Sequence, residues 1–330
     1  MSPKFCRFVV IFVILTGACA SWPIRCANRA ARQEPDMLTT TEIFERYQQV
    51  RSRFPHVNAT GPTTDIRSLM DIAAPGMAFV FDAFGVLNVG ETLIEGADRR
   101  LDQLRAMGCQ IRILTNAASY DRSGAIAKFQ RLGLTVADHE IITSRDATLD
   151  ALTPGLWGVA AAEEDALRDI GSDCVRLGEK LADYDRVDGF LLLSSSGWTE
   201  ARQELLQASL SARSRPVMVA NADLAAPRDD GFSLEPGFFG HQLVDKGAAQ
   251  VRFFGKPFPE VYGLVEASLP DTPKHQIVMC GDTLHTDILG ATACGWRTVL
   301  VTRDGLFAGH TTSDFCDQAD LHPDWMLERI

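Results

Sequence analysis

The stretch Gly76–Gly90, GMAFVFDAFGVLNVG, decides the reading of the fold. Its first part, through Phe81, is a short and nearly continuous apolar run. That is the pattern of a strand covered on both faces in a parallel sheet. Asp82 follows at the strand's carboxyl end, where open α/β sheets collect their ligands. Working outward, Ala97–Met107 carries apolar residues at helical spacing and stops at Gly108, a suitable residue for a left-handed cap. Gln110–Leu114 reads as the next strand. Ser123–Leu132 reads as a helix ended by Gly133. Near the other end, QIVMC (Gln276–Cys280) and TVLVT (Thr298–Thr302) are strands on either side of a helical stretch, Asp287–Ala293. Strand–helix–strand alternation of this kind predicts a doubly wound parallel α/β sheet with right-handed crossovers.

A second alternating block lies between these halves. Leu156–Ala161, Gly189–Leu193 and Pro216–Ala220 read as strands, and Glu200–Leu210 as a helix. A separate sheet predicts an inserted α/β domain at 142–240, flanked by the core segments 37–141 and 241–330.

Composition bounds the functional classes. The chain has 330 residues, 46% hydrophobic and 23% charged, enough to bury a large core and not biased toward disorder. With 43 Asp and Glu against 32 Lys and Arg, the net charge of −11 argues against nucleic acid or anionic membrane as a general partner. Eight cysteines are too few for a disulfide scaffold in a chain of this length.

The first 36 residues stand apart. Lys4 and Arg7 precede the apolar run Phe8–Leu15, and Ala18 and Ala20 suit a cleavage site, so the segment has the three zones of a secretory signal. The alternative is synthesis from Met37, where Thr39, Thr40 and Glu42 read as a capped helix start with an acidic first turn. The first reading predicts export after cleavage near Ala20, with six cysteines left. The second predicts a cytoplasmic protein that lacks Cys26. Asn58-Ala59-Thr60 is a glycosylation triplet that matters only in the exported case.

The chemistry gathers at strand ends. In order these are Asp82, then Thr115-Asn116 after RIL, then Gly281-Asp282 after IVMC, with Lys256 in Phe254-Gly255-Lys256-Pro257. An Asp at one strand end is commonly only a turn former. Carboxylates, a hydroxyl and an ammonium at several neighbouring ends suit a phosphate beside a divalent cation. Asp282 and Asp287, in GDTLHTD, are spaced to face one pocket across a short helical start.

With these residues in view, the chain resembles the haloacid-dehalogenase superfamily, and within it the class IIA phosphatases with an α/β cap. Matching stretches are FVFDAFGVLNVG, ILTNAAS, RFFGKPFPEVY and GDTLHTDILGA, and ANADLAAP is similar to the cap's Asn-Pro-Asp element with Ala222 in place of proline. The resemblance implies that Asp82 is the nucleophile and that Thr115 and Asn116 hold the phosphoryl group. It implies that Lys256 neutralises charge at Asp82. It also implies that Mg²⁺ sits on Asp82, the Phe84 backbone carbonyl and Asp282, with Asp287 in support.

One residue departs from the family pattern. The acid/base Asp expected two positions after the nucleophile is Phe84, which can neither protonate a leaving alcohol nor activate water. Glu91, Asn88 and His241 are the candidates to replace it. The implied activity is an Mg²⁺-dependent phosphohydrolase acting on a small phosphorylated metabolite, slowed by this change. Asp-Ala-Phe-Gly also resembles the start of the metal-free haloacid dehalogenases, which lack the late aspartate pair. A phosphometabolite-binding protein with little turnover is the third reading. The expected partners are the metabolite and, as an open alternative, further copies of the chain in a homo-oligomer. Nucleic acid is not expected, nor a membrane span in the mature chain.

Other classes lack their motifs. There is no G-x-G-x-x-G turn after the first strand, no G-x-x-x-x-G-K-[ST] loop and no H-E-x-x-H. Trp198, Phe238 and Phe239 are read either as substrate-facing residues of the inserted domain or as packing aromatics.

Overall fold

The apolar run ahead of Asp82 becomes the strand Ala78–Phe81, every residue of it buried, an interior strand of a seven-stranded sheet. The structure is a computed structural model that describes residues 38–58, 60–228 and 231–330. The signal-like segment, the alternative start at Met37, Cys26 and the Ala59 of the glycosylation triplet lie outside the described residues.

All pairings in the large sheet are parallel, in the order Thr64–Asp65, Trp325–Leu327, Arg297–Val301, Ile277–Gly281, Ala78–Phe81, Gln110–Thr115, Ile141–Thr143. Phe81 lies level with Cys280 on one side and Ile113 on the other. Successive side chains alternate faces, as a pleated strand requires. Phe79 and Phe81 join Val278 and Cys280 under Leu101, Leu104 and Phe129. Ala78 and Val80 join Ile277 and Met279 under Val261, Tyr262 and Val265. Burial on both faces is why these strands read as unbroken apolar runs. From Ala78–Phe81 the chain builds outward in one direction and later returns on the other side, so the sheet's switch point falls at this strand.

A second sheet of five parallel strands runs in the order Val251–Phe253, Val217–Val219, Gly189–Leu192, Trp157–Ala160, Cys174–Arg176. The fold is thus the doubly wound parallel α/β core with an additional α/β sheet. Sheet membership differs from the sequence reading at both boundaries. Ile141–Thr143 belongs to the large sheet, and helix Ser144–Asp150 packs on Pro259–Ala267 of the core. At the other end the smaller sheet takes its edge strand, Val251–Phe253, from beyond residue 240. The tripeptide Val-Arg-Phe is too short for its periodicity to say which sheet it joins.

The first described helix, Thr40–Val50, starts in a reciprocal cap. Thr39 Oγ1 accepts the Glu42 N–H, and Glu42 Oε2 accepts the Thr39 N–H at 2.8 Å. Its buried face, Ile43, Phe44, Tyr47 and Val50, bridges both parts of the fold. Thr40 Oγ1 donates to the Leu306 carbonyl of the core at 2.9 Å. Tyr47 Oη accepts the Leu224 N–H of the inserted region at 3.0 Å, and Arg46 and Arg53 both pair with Asp245. No described helix is long and apolar enough to cross a membrane, and the five described cysteines are unpaired.

Candidate active site

Three adjacent parallel strands deliver their carboxyl ends to one place. Asp82 follows Ala78–Phe81, Thr115 ends Gln110–Thr115, and Asp282 follows Ile277–Gly281. Asp82 continues the ladder for one residue, its N–H donating to the Cys280 carbonyl at 2.9 Å. Asp287 arrives through a π-helical turn, Leu284–Ile288, in which the N–H groups of Asp287 and Ile288 both donate to the Thr283 carbonyl. Such wide turns are rare and occur often at functional sites. Here the turn brings Asp287 back over Thr283, whose N–H donates to its Oδ2 at 3.1 Å.

Asp82, Asp282 and Asp287 are all buried, and each offers an oxygen within 4.8 Å of the others. Lys256 Nζ lies 2.6 Å from Asp82 Oδ1 and 2.6 Å from Asp287 Oδ1. Asp282 is held by the Leu306 N–H at 2.7 Å and the Thr283 hydroxyl at 2.9 Å. Close backbone approach is needed at Gly85, in the left-handed region at φ 77°, where a Cβ would meet Asp282 Oδ2 at 2.5 Å.

Three carboxylates against one ammonium leave the cluster two negative charges in excess. Burial raises the Asp82 carboxyl to about 6 despite the Lys256 ammonium, with Asp287 adding to the rise. Burial, then the charges of Asp82 and Asp287, raise Asp282 to about 8. Burial opposes the charge on Lys256, yet Asp287 and Asp82 hold its ammonium above the usual lysine range. Like charges crowded in this way are relieved by protons or by a cation. An all-oxygen donor set that is two charges short fits a hard dication.

The other residues singled out from the sequence fall nearby. Thr115 is buried on the cavity wall, its Oγ1 accepting the Ala117 N–H at 3.1 Å. The Asn116 side chain is turned into the protein. Its Oδ1 accepts the Lys256 N–H at 2.7 Å, and its Nδ2 donates to the Lys256 carbonyl and to Asp223 Oδ1 at 2.8 Å. Asn116 therefore joins the Lys256 loop to the inserted region. Of the three candidates to replace the missing acid, Glu91 lines the cavity. Asn88 donates instead to the Gly90 carbonyl, and His241 is enclosed by Phe54, Phe253 and Arg53. Burial, then Arg53, lowers His241 to about 3, so it is neutral at ordinary pH.

Asp82, Glu91, Thr115, Asn116 and Asp282 line a cavity of about 780 Å³ together with residues of the inserted region. Trp198 and Phe239 face it from the inserted region, while Phe238 packs into the cluster around Leu284 and Phe307. Ionisable residues on its wall that the sequence did not single out include Lys128, Asp223, Arg228 and Glu235, with Asp121, Glu164 and Asp165. Asp223 sits in the ANADLAAP element, which was the one available signal. Burial pushes its carboxyl well above the ordinary range, against the pull of Lys256. Lys128 lies in an ordinary-looking helix, and burial lowers its ammonium to about 8.

With fold and site in hand, comparison with known proteins gives the class. A family model for haloacid dehalogenase-like hydrolases matches residues 79–162, and an HAD-hydrolase-like model matches 253–330. These matches, with the relatives below, support placing the chain in the haloacid-dehalogenase superfamily, class IIA. It is 26% identical to rat (Rattus norvegicus) chronophin over 276 residues, covering 80% of this chain and 88% of that protein. It is also 26% identical to human (Homo sapiens) glycerol-3-phosphate phosphatase, covering 76% and 88%. A possible sugar phosphatase from Cytophaga hutchinsonii superposes with a TM-score of 0.71 at 24% identity, covering 81% and 98%.

A linkage test follows from the carboxyl cluster. Groups raised in the fold keep their protons longer than in the unfolded chain. The metal-free protein therefore loses stability as pH climbs from the ordinary carboxyl range through about 8. A dication must displace those protons, so the rise in Tm on adding Mg²⁺ is larger at pH 8 than at pH 6. Scanning calorimetry at both values checks this, and an equal or reversed effect contradicts it.

Proposed function

We propose that the chain is a divalent-cation-dependent phosphohydrolase that cleaves small phosphomonoesters through an aspartyl-phosphate on Asp82. The observation that carries this reading is the convergence of the buried Asp82, Asp282 and Asp287 carboxylates, with the Lys256 ammonium against Asp82 and Asp287. The phosphatase relative supports it.

In this reading the Asp82 carboxylate attacks phosphorus as the ester oxygen leaves. Water then cleaves the acyl phosphate to restore Asp82 and release phosphate. Splitting the reaction in this way is the general logic of covalent catalysis. Lys256, tied to Asp82 and Asp287, keeps the nucleophile ionised and offers positive charge to the phosphoryl oxygens. Thr115 and Asn116 lie at the next strand end, where the phosphoryl group would rest. Asn116 acts by holding the Lys256 loop in place. Asp82, Asp282, Asp287 and the Phe84 carbonyl would hold Mg²⁺, which supplies further positive charge against the transferring group. The transition state is loose, so positioning and charge do most of the work.

Phe84 is the weak point for turnover. Without a carboxyl there, leaving groups that depart unaided react best. Loss of positioned acid–base help costs about 10²- to 10⁴-fold. This residue favours a second reading, in which the protein binds a phosphorylated metabolite and turns it over little. A metal-free dehalogenase fits less well, because it leaves the excess charge at Asp282 and Asp287 without a purpose.

Two measurements test the proposal. Asp82→Asn abolishes Mg²⁺-dependent phosphate release from p-nitrophenyl phosphate in the full chain while leaving the far-UV circular dichroism unchanged. Retained turnover removes Asp82 as the nucleophile. Phe84→Asp raises kcat/KM on glycerol 3-phosphate by about tenfold or more, and on p-nitrophenyl phosphate far less, since the nitrophenolate needs little protonation. Equal gains, or none, show that no acid is missing at this position.

A further inference from the structure

The Phe84 ring carries two cations. Lys128 Nζ sits 3.9 Å from the ring centroid and Arg228 Cζ sits 4.9 Å from it. All three residues line the cavity that contains Asp82. The two cations differ in their surroundings. Arg228 is matched: its Nε donates to Ser233 Oγ at 2.8 Å and its Nη2 to Glu235 Oε1 at 3.1 Å. Glu235 is itself fixed by Ser233 and Asn221.

Among the described residues Lys128 has no such partner. It is only 4% exposed, and among the described residues it makes no hydrogen bond or ion pair. Asp82, Glu91 and Glu235 lie close enough to bias its charge but not to pair with it. A cation–π contact contributes about 0.5–2 kcal/mol, far less than the usual cost of burying an unpaired ammonium. A positive group that no described residue pairs, on the wall of a substrate-sized cavity, is placed to bind an anion.

We infer that Lys128, with Arg228 beside it on the Phe84 ring, forms a second anion-binding subsite, so that the preferred substrates are phosphomonoesters carrying a further carboxylate or phosphate. The inference rests on the reading that Asp82 and Lys256 take the reacting phosphoryl group. The other anion then meets Lys128 within the same cavity. It also gives Phe84 a positive role. An aspartate there would sit against Lys128 and consume its charge, whereas the ring holds the ammonium in place and leaves that charge for the ligand. Glu235 keeps Arg228 on the ring and prevents two unmatched cations from repelling each other apart.

The test reads binding rather than turnover, so it is separable from the proposed activity. In full-chain Asp82→Asn with Mg²⁺ at pH 7, calorimetric affinities are compared for two matched pairs. One pair is 3-phosphoglycerate against glycerol 3-phosphate, which differ by a carboxylate. The other is fructose 1,6-bisphosphate against fructose 6-phosphate, which differ by a phosphate. The dianchored ligand of at least one pair binds about tenfold tighter, the scale of one charge-assisted contact, and the favoured pair names the second anion. Lys128→Met erases that preference and Lys128→Arg keeps it. Equal affinities within both pairs, or a preference that survives Lys128→Met, overturns the inference. Failure of the unaltered chain to release phosphate from any ester would count against the proposed activity alone.

Discussion

Mutual repulsion among three buried carboxylates is the constraint on which the rest of the structure turns. Asp82, Asp282 and Asp287 offer oxygens within 4.8 Å of one another, and the Lys256 ammonium is bonded to Asp82 and Asp287. Left alone, such a cluster would loosen the fold. It is kept together by backbone and loop donors: the N–H groups of Thr283 and Leu306, the Thr283 hydroxyl, and the Asn116 clamp on Lys256. A fold that spends this many contacts to hold like charges together is arranged for a partner that neutralises them.

The parallel sheet makes the arrangement cheap. Adjacent strands point the same way, so their carboxyl ends meet without any long excursion of the chain. Buried apolar side chains on both faces of Ala78–Phe81 and Ile277–Gly281 set the strand positions, and the acids simply follow. The inserted region then supplies the opposite wall. Asp223 is bonded to Asn116, and the first helix bonds to Leu224 and pairs with Asp245, so the wall is tied to the core from two directions.

Much of this was legible in the chain because of what burial does to sequence. Strands covered on both faces must be apolar throughout, so GMAFVF and QIVMC announce themselves, and the polar residue that ends each run marks a ligand-facing edge. Thr39 and Glu42 likewise announced a helix start through their reciprocal capping pattern. What was not legible depends on contacts distant in sequence. Nothing local in Val251–Phe253 says that it joins the smaller sheet. Nothing in the helix Arg122–Arg131 says that Lys128 turns inward, because the ring it lies against, Phe84, is distant in sequence. The π-helical turn that aims Asp287 shows in the sequence only as spacing. Phe84 was visible as a departure from the family pattern, but its service as a platform for two cations required the geometry.

A crystal structure of the full chain grown with Mn²⁺, with data collected at the manganese absorption edge, tests the central claim most directly. The account predicts one anomalous peak inside the cage formed by Asp82, Asp282 and Asp287, bound by carboxylate oxygen. An empty cage at saturating Mn²⁺, or a peak found only elsewhere on the chain, would contradict it.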